Sequence, residues 1–236
     1  EPRPCHESPT MPHPPLTIVY DLDGTLADTA PDLINTLNSV LKTAGFNPVE
    51  PALVGHLVGR GARAMIERAL KTLGRNPDAE IIDRLFEEFL DYYVDNITRD
   101  GSALYPGVLE TLEAFADQGV IQSVCTNKFQ RGADLMLRTL NIQHHFKAVL
   151  GGNALKTRKP DPHHVLETIR RAGGDPACAV MIGDSATDLN AARAAHVPII
   201  LVDYGYSDTP VAELEPDAVI TSFTEIEALI PALTKA

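Results

Sequence analysis

The stretch Asp21-Leu22-Asp23-Gly24-Thr25-Leu26-Ala27-Asp28-Thr29 follows the apolar run Leu16-Thr17-Ile18-Val19-Tyr20, and the junction between the two decides the fold. The run is too short for a helix and rich in β-branched residues. It predicts a buried parallel strand whose carboxyl end carries Asp21 and Asp23. In open α/β sheets that end is where ligands bind. Two acids two residues apart can project to the same side there, so that one attacks while the other handles a proton. Gly24 permits a tight turn behind them. A strand-terminal turn in which the aspartates only make local hydrogen bonds is the competing reading, and the pair alone leaves the two even.

Working outward, Ala30-Pro31-Asp32 starts a helix with Leu33, Leu37, Val40 and Leu41 on one face and Gly45 at its end. Two more helices are predicted near Ala62 to Leu73 and Asp78 to Ile97, so the chain from Ala30 to about Ala103 reads as purely helical. Tyr105-Pro106-Gly107 breaks that pattern. Beyond it, short apolar runs (Val120 to Thr126, Ala148 to Leu150, Ala179 to Ile182, Ile199 to Val202, Ala218 to Ile220) alternate with helical segments. Such alternation predicts an α/β fold, a Rossmann-like parallel sheet with helices on both faces. One strand precedes the helical block, so the simplest topology is a core of residues 16–29 and 104–236 with an all-helical cap, residues 30–103, inserted after the first strand. Ala30 and the region near Leu104 would be its hinges. Residues 1–15 are Pro-rich and lack an apolar signal core, which predicts a disordered tail, with Met11 as a candidate natural start.

The formal net charge of −12 disfavours nucleic acid and anionic membranes as partners, since both require a basic footprint. An acidic protein that binds an anion must concentrate positive charge locally, and a metal ion is one way to do so. No apolar segment approaches the ~20 residues needed to cross a bilayer. Cys5, Cys125 and Cys178 are odd in number and lack metal-ligand spacing, which points to a reducing cytoplasm. Cys125 lies in an apolar run and reads as a small buried thiol. His144-His145 and His163-His164 are adjacent pairs that cannot both face one metal in regular structure, so surface or capping roles are expected of them.

Four apolar strands end in, or lead into, polar clusters. The first carries Asp21 and Asp23. After the run ending at Cys125 come Thr126, Asn127 and Lys128, short hydrogen-bonding groups able to grip phosphate oxygens beside backbone N–H groups, or else an ordinary helix cap. After Leu150 come Gly151-Gly152-Asn153 and then Arg158-Lys159-Pro160-Asp161-Pro162, whose prolines fix where Lys159 points. After Ile182 come Gly183-Asp184-Ser185-Ala186-Thr187-Asp188, with both acids able to face the mouth of the sheet; helix capping is the alternative. Asp21, Asp184 and Asp188 gathered at one edge would repel by roughly 4 kcal/mol per pair at an effective dielectric near 20. A hard dication removes that cost, and an all-carboxylate set without His or Cys predicts Mg²⁺ rather than zinc.

These motifs resemble the haloacid dehalogenase superfamily of aspartyl phosphotransferases, and the DxDGT form of the opening stretch is its phosphatase variant. The resemblance implies that Asp21 attacks phosphorus and Asp23 serves as general acid, then as base for water. It makes Asp184 a metal ligand together with Asp21 and the backbone carbonyl of Asp23, while Asp188 holds a coordinating water or orients Lys159. Thr126 and Asn127 grip phosphate, Lys159 lets carboxylate approach phosphate, and Thr25 helps position Asp23. Dehalogenase members lack the second acid and the metal, so Asp23 and Asp184 speak against that activity.

Selectivity is expected from what covers the core. Leu57-Val58-Gly59-Arg60-Gly61-Ala62-Arg63 is a glycine-flanked loop that can close over a ligand, with Arg60 meeting a substrate anion or remaining solvated. DTAPDL, VGRGAR, PGV, TNK, RKPDP, GDSATDLNAARAA and the YGY beginning at Tyr204 together resemble the phosphoglycolate phosphatase subgroup, with Asn153 standing where that pattern has an acid. The implied activity is Mg²⁺-dependent hydrolysis of a small phosphorylated metabolite, 2-phosphoglycolate first, by a monomer or homodimer. A hexose phosphomutase or a sugar-phosphate phosphatase is the alternative.

Overall fold

The computed structural model describes residues 14–53, 58, 60–76 and 78–233. In chain order the elements are β1 (Thr17–Tyr20), β2 (Ala27–Asp28), α1 (Ala30–Thr43), α2 (Ala62–Thr72), α3 (Ala79–Asp95), β3 (Ala103–Leu104), α4 (Val108–Asp117), β4 (Ile121–Cys125), α5 (Gln130–Thr139), β5 (Ala148–Leu150), α6 (Pro162–Ala172), β6 (Ala179–Gly183), α7 (Ala186–Ala194), β7 (Ile199–Val202), β8 (Ala218–Ile220) and α8 (Ile226–Leu233). The Pro-rich segment expected to be disordered, with Cys5 and Met11, falls mostly outside the described residues, as do Leu57 and Gly59 of the glycine-flanked loop.

Six strands form one parallel sheet in the order β5-β4-β1-β6-β7-β8. β1 sits inside it, paired with β4 on one side and β6 on the other, Tyr20 facing Val124 and Ile182. Its side chains alternate between two cores, as the pleat requires. Ile18 and Tyr20 join the larger one with residues of α1 to α5 and α8, whereas Val19 joins the smaller one beside α6 and α7. All four β1 residues are fully buried, each large apolar side chain contributing about 1.5–3 kcal/mol. The reversal of strand order lies beside β1, so the carboxyl ends of β1, β4 and β6 open together into one crevice.

Helices α1 to α3 form a helical insertion between β2 and β3. α1 starts with Pro31 early and Asp32 in its first turn, and α3 is capped by the Asp78 carboxylate, which accepts from the Ile81 N–H at 2.8 Å. Buried Asp32 accepts from the Asp100 and Ser102 N–H groups, both at 2.8 Å, tying the outgoing chain to the returning one. The crossing is also a short antiparallel pair, β2 with β3, in which Ala27 faces Leu104 and Asp28 faces Ala103. That pair is absent from the sequence reading, because two residues per strand carry no periodicity.

Candidate active site

At the end of β1, Asp21 Oδ1 accepts from the Leu22 N–H at 2.7 Å and lies 2.9 Å from Lys159 Nζ. Lys159 also donates to Asp188 Oδ1 at 2.6 Å, so one ammonium bridges carboxylates from the β1 turn and α7. The side chains of Lys159 and Asp188 are 1% and 0% exposed. The segment carrying Lys159 is held by three contacts. Its carbonyl accepts from Asn127 Nδ2 at 3.0 Å, its N–H donates to His164 Nδ1 at 3.3 Å, and Asp161 caps α6 by accepting from the His163 N–H. His164 is fully buried, which corrects the surface or capping role expected of it; burial first, then Lys159, depresses its imidazole to about 4.

Asp188 combines both of the roles weighed for it. Its Oδ2 accepts from the Ser185 hydroxyl at 2.7 Å and from the N–H groups of Ser185 and Asp184, a capping box at the start of α7, while Oδ1 meets Lys159. Asp184 accepts from the Tyr206 N–H at 2.6 Å on Oδ2 and from the Thr25 hydroxyl at 3.4 Å on Oδ1. The Thr25 hydroxyl thus contacts Asp184, whereas the expectation joined it to Asp23. Gly24 has φ +83°, and a Cβ there would collide with Asp184 Oδ2 and come 2.7 Å from the Tyr206 ring. Only glycine lets these groups close on the turn.

Asp23 faces a different set of partners. Its Oδ1 accepts from the Thr29 hydroxyl at 2.6 Å and from Lys128 Nζ at 2.8 Å. The Lys128 ammonium also lies 4.5 Å from the centroid of the Tyr93 ring on α3, so Asp23 sits where insertion and sheet meet. Burial opposes the charge on Lys128, but Asp23 and Tyr93 outweigh it and hold the amine above its ordinary range. Thr126 is buried and accepts from the Lys128 N–H at 3.1 Å, leaving its own hydroxyl proton to donate. Asn127 spends its amide N–H on the Lys159 carbonyl, and its buried Oδ1 has no hydrogen-bond partner. Asn153, where an acid was expected, accepts from the Gln130 N–H at 2.7 Å at the start of α5, a role either residue fills.

Arg60 is not among the residues lining the cavity beside Asp23. It pairs with Asp208 at 2.6 Å, both side chains half exposed, above a small cleft shared with Asp184, Ser185 and Tyr206. Arg63 lines the Asp23 cavity instead, with Lys128, Arg158, Phe86 and Phe89. Thr29, the Lys128 contact, His164 and Tyr206 were missed by sequence reasoning, although all but His164 lie in quoted motifs. Cys125 is buried and its thiol is pushed up to about 12 by burial, which makes it inert.

Asp21, Asp184 and Asp188 each offer a carboxylate oxygen within 4.8 Å of the others, the one such group among the described residues. Burial, then Asp188 and Asp21, raises Asp184 well above the ordinary carboxylate range. Asp21 is raised to about 7, chiefly by burial, with Lys159 working against the rise. Charges this crowded fit a hard cation held by oxygen donors. Asp188 has least to offer it, since its Oδ1 is taken by the Lys159 ammonium and its Oδ2 by three capping donors, whereas the contacts on Asp184 are one N–H and a hydroxyl at 3.4 Å, and those on Asp21 fall on Oδ1.

Residues 18–202 match the family model described as haloacid dehalogenase-like hydrolase. The chain is 46% identical over 206 residues to a phosphoglycolate phosphatase of Mesorhizobium japonicum, covering 87% of this chain and 90% of that protein. It is also 46% identical over 225 residues to one of Agrobacterium fabrum, covering 95% and 94%. The crystal structure of a predicted phosphoglycolate phosphatase from Haemophilus somnus superposes with a TM-score of 0.84 at 33% identity, covering 90% of this chain and 96% of that one. A nest of buried aspartates and one bridging lysine at the carboxyl ends of a parallel sheet, found in a chain with these likenesses, places the protein in the haloacid dehalogenase-like hydrolase family.

Proposed function

We propose that the protein is a Mg²⁺-dependent phosphomonoester hydrolase that converts 2-phosphoglycolate to glycolate and phosphate. The observation that carries the reaction type is Lys159 Nζ, 2.9 Å from Asp21 Oδ1 and 2.6 Å from Asp188 Oδ1 in a buried pocket. The substrate is supported by the two 46% identical relatives, which bear that activity in their names.

In this reading an Asp21 carboxylate oxygen attacks phosphorus as the bond from phosphorus to the ester oxygen breaks, giving an aspartyl-phosphate. Asp23, held through Oδ1 by Thr29 and Lys128, gives its proton to the departing glycolate oxygen. The regenerated Asp23 carboxylate then takes a proton from water, whose oxygen attacks the same phosphorus and frees Asp21. Lys159 and the Thr126 hydroxyl hold phosphoryl oxygens, and the rigid seat of Lys159 keeps its charge in place as the dianion arrives. Asp21 and Asp184, with the Asp23 carbonyl and with Asp188 beside them, would hold Mg²⁺, which supplies positive charge to offset repulsion between carboxylate and phosphate. Residues 30–103 act as a cap over residues 16–29 and 104–236, hinged at the β2–β3 pair. A cytoplasmic location belongs to the same reading, in keeping with the free thiols of Cys125 and Cys178.

The test is phosphate release from a panel of monoesters, with and without Mg²⁺. The expected result is Mg²⁺-dependent turnover with 2-phosphoglycolate ranked first by kcat/KM, and a loss of about 10⁴-fold or more in Asp21→Asn. Unchanged turnover in that variant would remove Asp21 as nucleophile. Isomerised sugar phosphate without free phosphate would replace hydrolysis by phosphoryl transfer to sugar.

A further inference from the structure

The site contains two buried ammonium groups, and the reaction proposed above uses only one of them on the phosphoryl side. Lys159 faces Asp21 and Asp188. Lys128 faces Asp23, 2.8 Å from Oδ1, with its side chain 2% exposed. Burying a lysine is costly unless its charge is met, so its placement calls for a reason. The backbone supplies the direction. The Lys128 N–H folds back onto Thr126 Oγ1 and the side chain runs under α3 to the Tyr93 ring.

The assigned roles fix which part of a substrate lies there. If Asp23 protonates the departing oxygen, a cation on Asp23 adjoins the leaving alcohol rather than the transferred phosphoryl group. The cavity at this point is walled by Leu33, Phe86, Phe89 and Phe129. Such walls do not recognise an anion, but they strengthen any charge contact made between them. Of the other cations on the lining, the Arg63 side chain is 40% exposed and turned to Asp83, and Arg158 is exposed, so water screens both. Lys128 is therefore the buried cation available to a charged leaving group. An ammonium has three N–H donors, so Lys128 can keep Asp23 and still donate to a second acceptor.

We propose that Lys128 is the specificity-determining residue of the site, reading a carboxylate carried on the leaving alcohol. This rests on the reading of the protein as a phosphatase. In 2-phosphoglycolate the carboxylate is one methylene from the ester oxygen, the position next to Asp23 that Lys128 commands. A phosphomonoester with a neutral alcohol would leave the ammonium without its second partner, the kind of mismatch that discriminates strongly between substrates.

The experiment measures kcat/KM on two matched pairs, 2-phosphoglycolate against ethyl phosphate and 3-phosphoglycerate against glycerol 3-phosphate. It uses the wild type, Lys128→Gln and Lys128→Arg. The readout is the ratio within each pair, which loss of folded protein or of general catalytic power does not move. Wild type is expected to favour the carboxylate member. Lys128→Gln should lower that preference about 100-fold and Lys128→Arg should restore it to within about 10-fold of wild type. If Lys128→Gln does not fold, Lys128→Met, which keeps an unbranched stem against the Tyr93 ring, takes its place in the same comparison with the same expected loss. A wild type indifferent to the carboxylate, or a ratio unchanged in Lys128→Gln, overturns the role of Lys128. A wild type that ignores 2-phosphoglycolate yet favours 3-phosphoglycerate over glycerol 3-phosphate overturns the substrate reading and leaves Lys128 in place.

Discussion

The two sides of the cleft are built differently. The Asp21 side draws on residues at the ends of β1 and β6, on α7, and on the segment before α6, all seated on one continuous sheet. The Asp23 side joins the β1 turn to Lys128 after β4, to Thr29 at the crossing, and to Tyr93 on α3. Hydrogen bonds within the sheet hold the first constellation whatever the insertion does. The second is complete only when α3 lies against the core. We read the first as the place of the phosphoryl chemistry and the second as the place where substrate identity and closure are sensed. Perturbing each should break the molecule in a different way.

The largest effect is expected on the Asp21 side. Lys159→Met leaves Asp21 and Asp188 buried beside Asp184 without their shared cation. Removing one partner of a buried ion pair costs about 3–5 kcal/mol. Chemical denaturation in chelator should show that loss, and Mg²⁺ should recover part of it by meeting the same carboxylates. A loss equally large with and without Mg²⁺ would mean that Lys159 supports the fold apart from the acidic nest.

A smaller effect follows from protonation. Asp21 is raised from 3.8 to about 7, mainly by burial, and Asp184 is raised with it. For a carboxyl raised on folding, the folded state binds the extra proton. Its stabilising contribution in the metal-free protein is complete below about 4 and is lost as pH rises through about 7. If Mg²⁺ binds these oxygens as proposed, protons compete with it, so the rise in Tm on adding Mg²⁺ should be larger at pH 8 than at pH 6. His164, depressed to about 4, loses stability as pH falls below its ordinary 6.5 and runs the opposite way. It titrates with and without the ion and drops out of the difference. A Mg²⁺ shift that is flat across this window would exclude protons as competitors at the nest.

How much of this could be read in the chain follows the same division. Asp21 and Asp184 were legible because each follows a short apolar run, and Lys159 because prolines follow it directly, and strand ends in a parallel sheet converge by topology. The β2–β3 pair, the Thr29 hydroxyl on Asp23, and Tyr93 against Lys128 were not legible. They depend on where the chain returns to the core after α1 to α3, and no local pattern encodes that meeting. Asp32 shows the difference within one residue. Its place in the first turn of α1 was legible, whereas its grip on the N–H groups of Asp100 and Ser102 depends on the returning chain.

Tyr206 links the two sides. Its N–H reaches Asp184 Oδ2 at 2.6 Å. Its hydroxyl donates to Asp28 Oδ1 at 2.6 Å and accepts from the N–H groups of Thr29 and Ala30, at the outgoing crossing into α1. Tyr206→Phe keeps the backbone contact with Asp184 and removes the hydroxyl alone. The expected cost is about 1–2 kcal/mol, for the hydrogen bond to Asp28 lost and the Thr29 N–H left without its acceptor, while the Ala30 N–H keeps Asp28 Oδ1 at 3.3 Å. Turnover should fall more than the apparent affinity for Mg²⁺, because only the crossing is disturbed. A matching loss of Mg²⁺ affinity would show that the hydroxyl, through the crossing it holds, also sets Asp184.

The smallest effect belongs to Arg60 and Asp208, which join the insertion to the loop after β7. Both side chains are about half exposed, and exposed pairs contribute about 0–1 kcal/mol that salt screens further. Arg60→Ala should therefore leave thermal stability within about 1 kcal/mol of wild type. If the insertion closes over the core as proposed, the pair spans the two parts that separate, and its removal bears on opening more than on folding. At low salt, with product release limiting, kcat in Arg60→Ala should be equal to wild type or up to about threefold higher, and the difference should vanish at high salt. A large rise in KM for 2-phosphoglycolate that persists at high salt would instead make Arg60 a substrate contact and move the sensing of anions from Lys128 to the insertion.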